Sequence, residues 1–357
     1  MATSRSSQAL ERAEEFDAKG QHEDAINQLA LAARNGDVEA MTQLAKRIIV
    51  GDRAPRLLQQ GISLLNDAVK AGSAEAAERM AVVMASGIFG PPDWQAVLRL
   101  LVLAAERDWE PALQQLEVLA SMTRHSERLE LSVDSRSPTS YLADIDLRAL
   151  LSPPEGIVVN GDPLIRRFPG FLNSRVCDWL IERARPKLSR ALVYDVTTGD
   201  DVADSSRTNT HAVFNNMEAD LVHLMVQARM SLACGQSVSH MEAATVLHYG
   251  VGEEIRNHYD FVAPNRPGYD DEVRRRGHRV VTFLVYLNED YEGGETVFPR
   301  LDLKLRGRTG EGMYFVNVLD NKKPDLRTLH SGAPPTSGEK WVFSQFIRDL
   351  PSFALSG

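Results

Sequence analysis

Cysteine is scarce in this 357-residue chain: Cys177 and Cys234 are the only two. That excludes a small domain stapled by several disulfides. One bridge is compatible with the count, but two thiols in so long a chain read as reduced and buried. Long apolar runs are missing as well. No stretch reaches the eighteen or so residues that cross a bilayer, so no membrane span is expected. The opening MATSRSSQALERAEEFDAKG lacks the apolar centre of a signal peptide, and a cytoplasmic location is the expectation. Basic charge is not in excess: 40 Lys and Arg face 49 Asp and Glu, a net charge of -9. A broad nucleic-acid-binding surface is therefore not expected. What remains is an ordinary globular composition, 43% apolar and 25% charged, with length for two or three domains.

The first third repeats itself. AARNGDVEAMTQLA, AVKAGSAEAAERMA and AAERDWEPALQQLE begin at residues 32, 68 and 104, a period of 36. Each opens on Ala, breaks at Gly36-Asp37, Gly72-Ser73 or Asp108-Trp109, and restarts at VEA, AEA or EPA. Glycine ends one helix and Asp or Ser caps the next, so each unit reads as a helical hairpin. Small Ala at fixed positions lets neighbouring helices approach closely. A fixed period in the mid-thirties is the mark of a helical solenoid. The pattern resembles the Sel-type relatives of tetratricopeptide repeats and is assigned to residues 8–122. It implies a concave surface for partners; a helical cap on the next domain is the alternative. Residues 123–157 lose the period, gain Ser and Pro, and read as a linker with a short helix near Leu142–Leu151.

From 158 to 352 the texture changes. FPGFLNSRVCDWLIERARPKL reads as a turn followed by a helix starting near Asn173, and NNMEADLVHLMVQARMSLAC as a second helix. Then come short apolar runs bounded by Gly, Pro, Asn and Asp: ATVLHYG, RVVTFLVYLN, ETVFP, GMYFVNV and KWVFSQFIRD, which read as strands. The expected fold class is α+β in two domains: a helical repeat solenoid, then a double-stranded β-helix, or jelly roll, with flanking helices.

One four-residue stretch, HYDF at 258–261, offers metal-ligand types two apart. Such pairs also arise by chance, at His22-Glu23-Asp24, His125-Ser126-Glu127 and His240-Met241-Glu242. His22 and His125 lie in helical or linker stretches, where residues i and i+2 do not share a face. His258 follows a strand, a glycine turn and an extended approach. In an extended chain i and i+2 point the same way, so His258 and Asp260 share a side. His330, before a Gly/Pro-rich hairpin, supplies a third ligand. Two imidazoles and one carboxylate make the facial triad of non-haem Fe(II) oxygenases, with positions left open. Open positions suit a chelating 2-oxo acid plus dioxygen. If that acid is 2-oxoglutarate, its far carboxylate needs a cation, and Lys340 begins the strand after the hairpin.

VLHYGVGEEIRNHYDF, RVVTFLVYLNEDYEGGETVFP and LHSGAPPTSGEKWVFSQFIRD together resemble the catalytic domain of collagen-type prolyl 4-hydroxylases. These are 2-oxoglutarate- and Fe(II)-dependent dioxygenases, and the likeness runs from about Phe168 to Arg348. It implies iron ligands at His258, Asp260 and His330, and a 2-oxoglutarate site at Lys340, Tyr249 and Thr282. Arg348 stands where animal collagen enzymes carry a histidine that helps position the cosubstrate, and is assigned there too. The family's Arg-Thr-Ser signature appears as Arg207-Thr208-Asn209, which assigns Arg207 to the substrate channel. Fe(II), 2-oxoglutarate and O2 are the implied cofactors, with ascorbate compatible as a fourth. The implied reaction is hydroxylation of a prolyl residue in a peptide or protein, recruited by the repeats. Rival readings are an oxygenase of a free amino acid or natural-product intermediate, and a non-catalytic scaffold. A nucleic-acid demethylase fits poorly, since those enzymes usually hold the cosubstrate with arginines. A homo-oligomer is compatible with all of this. The segment VAPNRPGYDDEVRRRGHR (262–279) reads as a lid over the substrate or as a disordered surface loop.

Overall fold

The computed structural model describes residues 3–123, 137–191, 193–194, 201–202, 206–215, 217–264 and 267–352. The pair His125-Ser126-Glu127 and most of the first half of the expected linker lie outside these. The chain divides into two compact units, Met1–Asp146 with Asn215–Leu224, and Leu147–Phe214 with Met225–Gly357. Among the described residues no helix is long and apolar enough to cross a membrane.

The first unit is a helical array: Thr3–Ala18, His22–Arg34, Val38–Val50, Leu58–Lys70, Ala74–Ala85, Trp94–Ala105 and Glu110–Ser121, then Pro138–Asp144. The 36-residue period appears in the geometry. Gly36 and Gly72 adopt left-handed φ of 86° and 102° at the helix ends, and Asp108 takes the same region in the third repeat with φ 61°. An Asp can do this at a cost of about 1 kcal/mol. The next helices start on Asp37 and Ser73, whose side chains accept the amides of Ala40 and Ala76 at 3.0 Å. Trp109 has no such acceptor; Pro111 in that first turn carries no N–H needing one. Ala40, Ala76 and Ala112 have no exposed surface, because another helix presses against each small side chain.

A buried polar cluster closes this unit. Glu78 accepts hydrogen bonds from Arg79, from Gln115 at 2.7 Å and from the Trp109 indole at 2.7 Å. Arg79 also donates to the carbonyls of Met217 and Ala219, both at 2.8 Å, and Gln115 accepts the Leu221 amide at 2.8 Å. These bonds hold the 215–224 segment in the same unit as the repeats.

The second unit is a sandwich of antiparallel sheets. Its larger sheet runs, edge to edge, Ile157–Gly161, Leu164–Phe168, Gly312–Val316, Arg279–Tyr286, Lys340–Arg348, Ala244–Tyr249, Thr210–Phe214, Ser189–Arg190. The smaller one runs Leu303–Leu305, Thr296–Phe298, His330–Gly332, Ile255–His258. Ile165, Leu284, Tyr286, Met313, Phe315 and Val342 of the first pack on Phe298 and Leu305 of the second, so the sheets enclose one core. The opposite face of the large sheet is covered too. Helix Ser174–Ala184, capped by Asn173 as expected, packs on strands Thr210–Phe214 and Ala244–Tyr249. Gln227 of helix Leu221–Cys234 donates to Gln345 at 2.8 Å. This is the expected jelly roll with flanking helices. Strand Lys340–Arg348 is buried along nearly its whole length because both of its faces are covered. In a strand alternate residues share a face. Val342 lies in the core between the sheets while Trp341 and Gln345 face outward, which turns Lys340 inward.

Candidate active site

His258 ends strand Ile255–His258, His330 begins strand His330–Gly332, and the two are direct cross-strand partners. Asp260 follows two residues after His258. The three side chains converge, each offering one ligand atom, all within 4.8 Å of one another. Asp260 Oδ1 lies 3.4 Å from His258 Nε2, and its Oδ2 lies 3.4 Å from His330 Nε2.

Each imidazole is oriented in the same way. His258 Nδ1 donates to the Arg256 carbonyl at 2.9 Å and His330 Nδ1 to the Thr328 carbonyl at 3.0 Å, each two residues back. A carbonyl only accepts, so each Nδ1 carries a proton and Nε2 is the nitrogen turned toward Asp260. Phe298 and Phe315, with ring centres 5.5 and 4.8 Å away, fix the His330 ring. Burial pushes the His330 pKa down to about 4, which keeps it neutral. Burial also opposes charge on His258, but the hydrogen bond and charge of Asp260 outweigh it and raise that pKa. Asp260 is buried, yet the two histidines and a Thr282 hydrogen bond hold its carboxyl far below the usual range. With each Nδ1 engaged, two Nε2 atoms beside an ionised carboxylate are the donor set of an Fe(II) facial triad once His258 gives up its proton to the metal, and these residues fit that ion.

Lys340, beginning its strand opposite Tyr249, is buried. Its Nζ lies 4.9 Å from the centre of the Tyr249 ring and 5.8 Å from that of Tyr286. Among the described residues no carboxylate lies within ion-pair distance. Burial brings its pKa down to about 7, with Glu295 opposing weakly from farther off. Tyr249 is buried against Gly332, two residues past His330, and burial raises its phenol pKa. A desolvated ammonium lying against aromatic rings is a receptor for an anion.

The other assigned residues divide. Arg207 pairs with Ile255, and the Ser206 carbonyl accepts the Arg256 amide at 2.8 Å, so residues 206–208 run along the strand that ends in His258. Burial lowers the Arg207 pKa, while the charges of Tyr249 and Asp260 oppose that shift, as neighbours would. Its one side-chain hydrogen bond among the described residues is to Asn209, at 3.3 Å. Thr282, expected to line the cosubstrate pocket, instead donates its hydroxyl to Asp260 Oδ2 at 2.8 Å, and accepts Asn317 Nδ2 at 2.9 Å. Arg348, expected at the cosubstrate, is fully buried, and its guanidinium is engaged by Glu242, Glu272 and the Gly277 carbonyl. The segment 262–279 contains a helix, Tyr269–Arg276, with acids in its first turn and arginines in its last, the order its dipole favours.

Sequence reasoning missed Asn317, Tyr286 and Arg279. Asn317 holds Thr282, and Tyr286 is a wall of the Lys340 pocket, its hydroxyl bonded to Thr296 at 2.9 Å. Arg279, in sequence only the first residue of an expected strand, grips Glu242 and approaches the Asp260 carbonyl at 3.4 Å. Glu242 had been visible only as half of a chance His-x-acid pair. Burial opposes its charge, but Arg279 and Arg348 bring its pKa down to about 2.

Residues 244–348 match the family model of the 2OG-Fe(II) oxygenase superfamily. A probable prolyl 4-hydroxylase 9 of Arabidopsis thaliana is 30% identical over 209 residues, covering 54% of this chain and 71% of that relative. This chain belongs to the 2-oxoglutarate/Fe(II) oxygenase superfamily. The prolyl 4-hydroxylase subunit alpha-1 of Gallus gallus is 29% identical over 187 residues, which is 52% of this chain but only 36% of the chicken subunit. Among solved structures, the viral collagen prolyl hydroxylase of Paramecium Bursaria Chlorella virus-1, in complex with 2-oxoglutarate, is 27% identical. That match covers 52% of this chain and 96% of the viral one, with a TM-score of 0.41. The oxygenase superfamily requires Fe(II), 2-oxoglutarate and O2, and the His-Asp-His triad agrees with that requirement.

Proposed function

We propose that this chain is a dioxygenase that hydroxylates a prolyl residue in a peptide or protein, using Fe(II) and 2-oxoglutarate. The observation that carries the reading is Lys340, a buried amine with no carboxylate partner among the described residues, in the same sandwich as a two-histidine, one-carboxylate triad. Leaving a charge unpaired inside a protein costs several kcal/mol, so such a group is explained by the anion it receives. A dicarboxylate with a 2-oxo acid at one end satisfies both features: the oxo acid chelates the metal and the far carboxylate meets Lys340. When bound, Fe(II) and 2-oxoglutarate supply the oxidation of an unactivated C–H bond by O2, with succinate and carbon dioxide released.

The protein's share is positioning. His258, Asp260 and His330 hold the metal by one face. Their Nδ1 hydrogen bonds and the Asn317-Thr282 pair keep the donors aimed. Lys340 and Tyr249 fix the far carboxylate, and Arg207 lines the substrate approach. The helical repeats present a surface that recruits the peptide. Prolyl residues are favoured as target because the relatives similar to this chain carry prolyl 4-hydroxylase names.

One observation favours a second reading. The Arg207 guanidinium beside Asp260 has donors to spare, and could hold the carboxylate of a free amino acid. Purified protein with Fe(II) and 2-oxoglutarate, offered proline-containing peptides and free amino acids, separates the two. Peptide-dependent succinate release with a gain of one oxygen atom on proline is the expected result. Oxidation of free amino acids alone would overturn the peptide reading.

A further inference from the structure

We infer that Glu242, Arg279 and Arg348 form a brace tying the metal ligand Asp260 to helix Tyr269–Arg276, so that helix and metal centre are positioned together. The inference rests on the oxygenase reading and gives roles to residues that reading does not use.

Glu242 is the hub. Arg279 donates Nε to Oε1 at 2.7 Å and NH2 to Oε2 at 2.9 Å, and Arg348 Nε donates to Oε1 at 2.6 Å. A planar guanidinium held by both oxygens of a carboxylate has little freedom left. Phe346, whose ring centre lies 4.0 Å from the Arg279 guanidinium carbon, restrains it further. So fixed, Arg279 NH1 faces the backbone carbonyl of Asp260 at 3.4 Å. On the other side, Arg348 sends NH2 to Glu272 at 2.9 Å and NH1 to the Gly277 carbonyl at 2.7 Å.

Glu272 lies in the helix and Gly277 caps its end. Gly277 has φ 72°, and a Cβ there would strike Asp349, whose carboxylate accepts the His278 amide at 2.7 Å. The helix end is thus held on two sides. The covalent path runs the same way, since 262–278 joins Asp260 to Arg279. Opening the helix would pull on both ends of the brace. These side chains act through Asp260 and are positioning residues. Partners one layer behind a metal ligand commonly change metal affinity by 10–100-fold.

The full chain, freed of metal and titrated with Co(II), reports on the brace by the visible absorption of the bound ion. Amide hydrogen exchange over Val273–Gly277 reports on the helix. Glu242→Gln keeps the shape but weakens both arginine contacts. It should lower Co(II) affinity about tenfold, alter the absorption bands, and speed exchange in the helix. Glu272→Gln, which releases the helix from Arg348, should speed the same exchange and lower Co(II) affinity by less than the roughly tenfold of Glu242→Gln; faster exchange with wild-type affinity would show that helix and metal centre are not coupled. If Glu242→Gln fails to fold, Arg279→Lys, which keeps the charge but not the two-pronged grip, should give the same loss of affinity. Wild-type affinity and bands in Glu242→Gln, or in Arg279→Lys, would overturn the brace while leaving the oxygenase reading intact. A wild-type chain that takes up no Co(II) would remove both.

Discussion

The helical unit and the β-sandwich bury polar groups on opposite rules. In the helical unit, Glu78, Arg79, Trp109 and Gln115 satisfy one another and three backbone groups of 215–221. In the sandwich, two imidazoles and one carboxylate converge on one another, and among the described residues the Lys340 amine meets aromatic rings but no carboxylate. A buried network that is complete within the protein holds a fold together; one left incomplete awaits a ligand. Arg348 sits in the sandwich but follows the first rule, with Glu242, Glu272 and the Gly277 carbonyl as its partners.

The largest effect expected from this contrast is in the helical unit. Glu78→Ala strands the buried Arg79 and should cost about 3–5 kcal/mol of unfolding free energy, read by denaturant titration. A loss below about 1 kcal/mol would mean that the cluster is not the clamp its geometry suggests. Lys340→Met should do the reverse. Removing an unpaired buried charge leaves stability unchanged or raised, while 2-oxoglutarate affinity falls by on the order of 100-fold, as for loss of a charged partner. Calorimetry measures both, and a variant that binds as tightly as the wild type breaks the comparison.

Acidity sharpens it. In the ligand-free protein Lys340 has a pKa of about 7, against 10.5 when unperturbed. The ammonium form binds the carboxylate, so affinity should be level below pH 7 and fall by up to about tenfold per unit above it. Stability of the ligand-free protein carries the opposite sign. Between pH 7 and 10.5 the unfolded chain holds the proton that the folded one has lost, so this group's contribution rises with pH. A pH-independent affinity up to pH 9 would contradict the assignment. Smallest is Asp37→Ala, which removes one helix cap and should cost about 1 kcal/mol in thermal unfolding.

How much of this was legible beforehand depended on distance along the chain. The 36-residue period carried the caps Asp37 and Ser73 and the close-packed Ala40, Ala76 and Ala112, because those are local features. His258 and Asp260 were expected to share a side by strand alternation, another local rule, and they converge although the strand ends at His258. His330 and Lys340 became readable through the resemblance of three stretches taken together. What stayed hidden was pairing between distant residues of ordinary type. Nothing in Arg279 announces Glu242, nothing in Gln115 announces Leu221, and Thr282 of the large sheet shows its partner Asp260 only once the two sheets face each other. The partners of Arg348, Glu242 and Glu272, are hidden for the same reason.

The central claim is that His258, Asp260, His330 and Lys340, brought in by two sheets and the turn after one strand, hold Fe(II) and 2-oxoglutarate together. Adding 2-oxoglutarate to the anaerobic, Fe(II)-loaded protein, and following the visible charge-transfer absorption of the chelate, tests it directly. A saturable band in the wild type that is absent in His330→Ala is the predicted result; no band in the wild type, or an equal band in the variant, would contradict it.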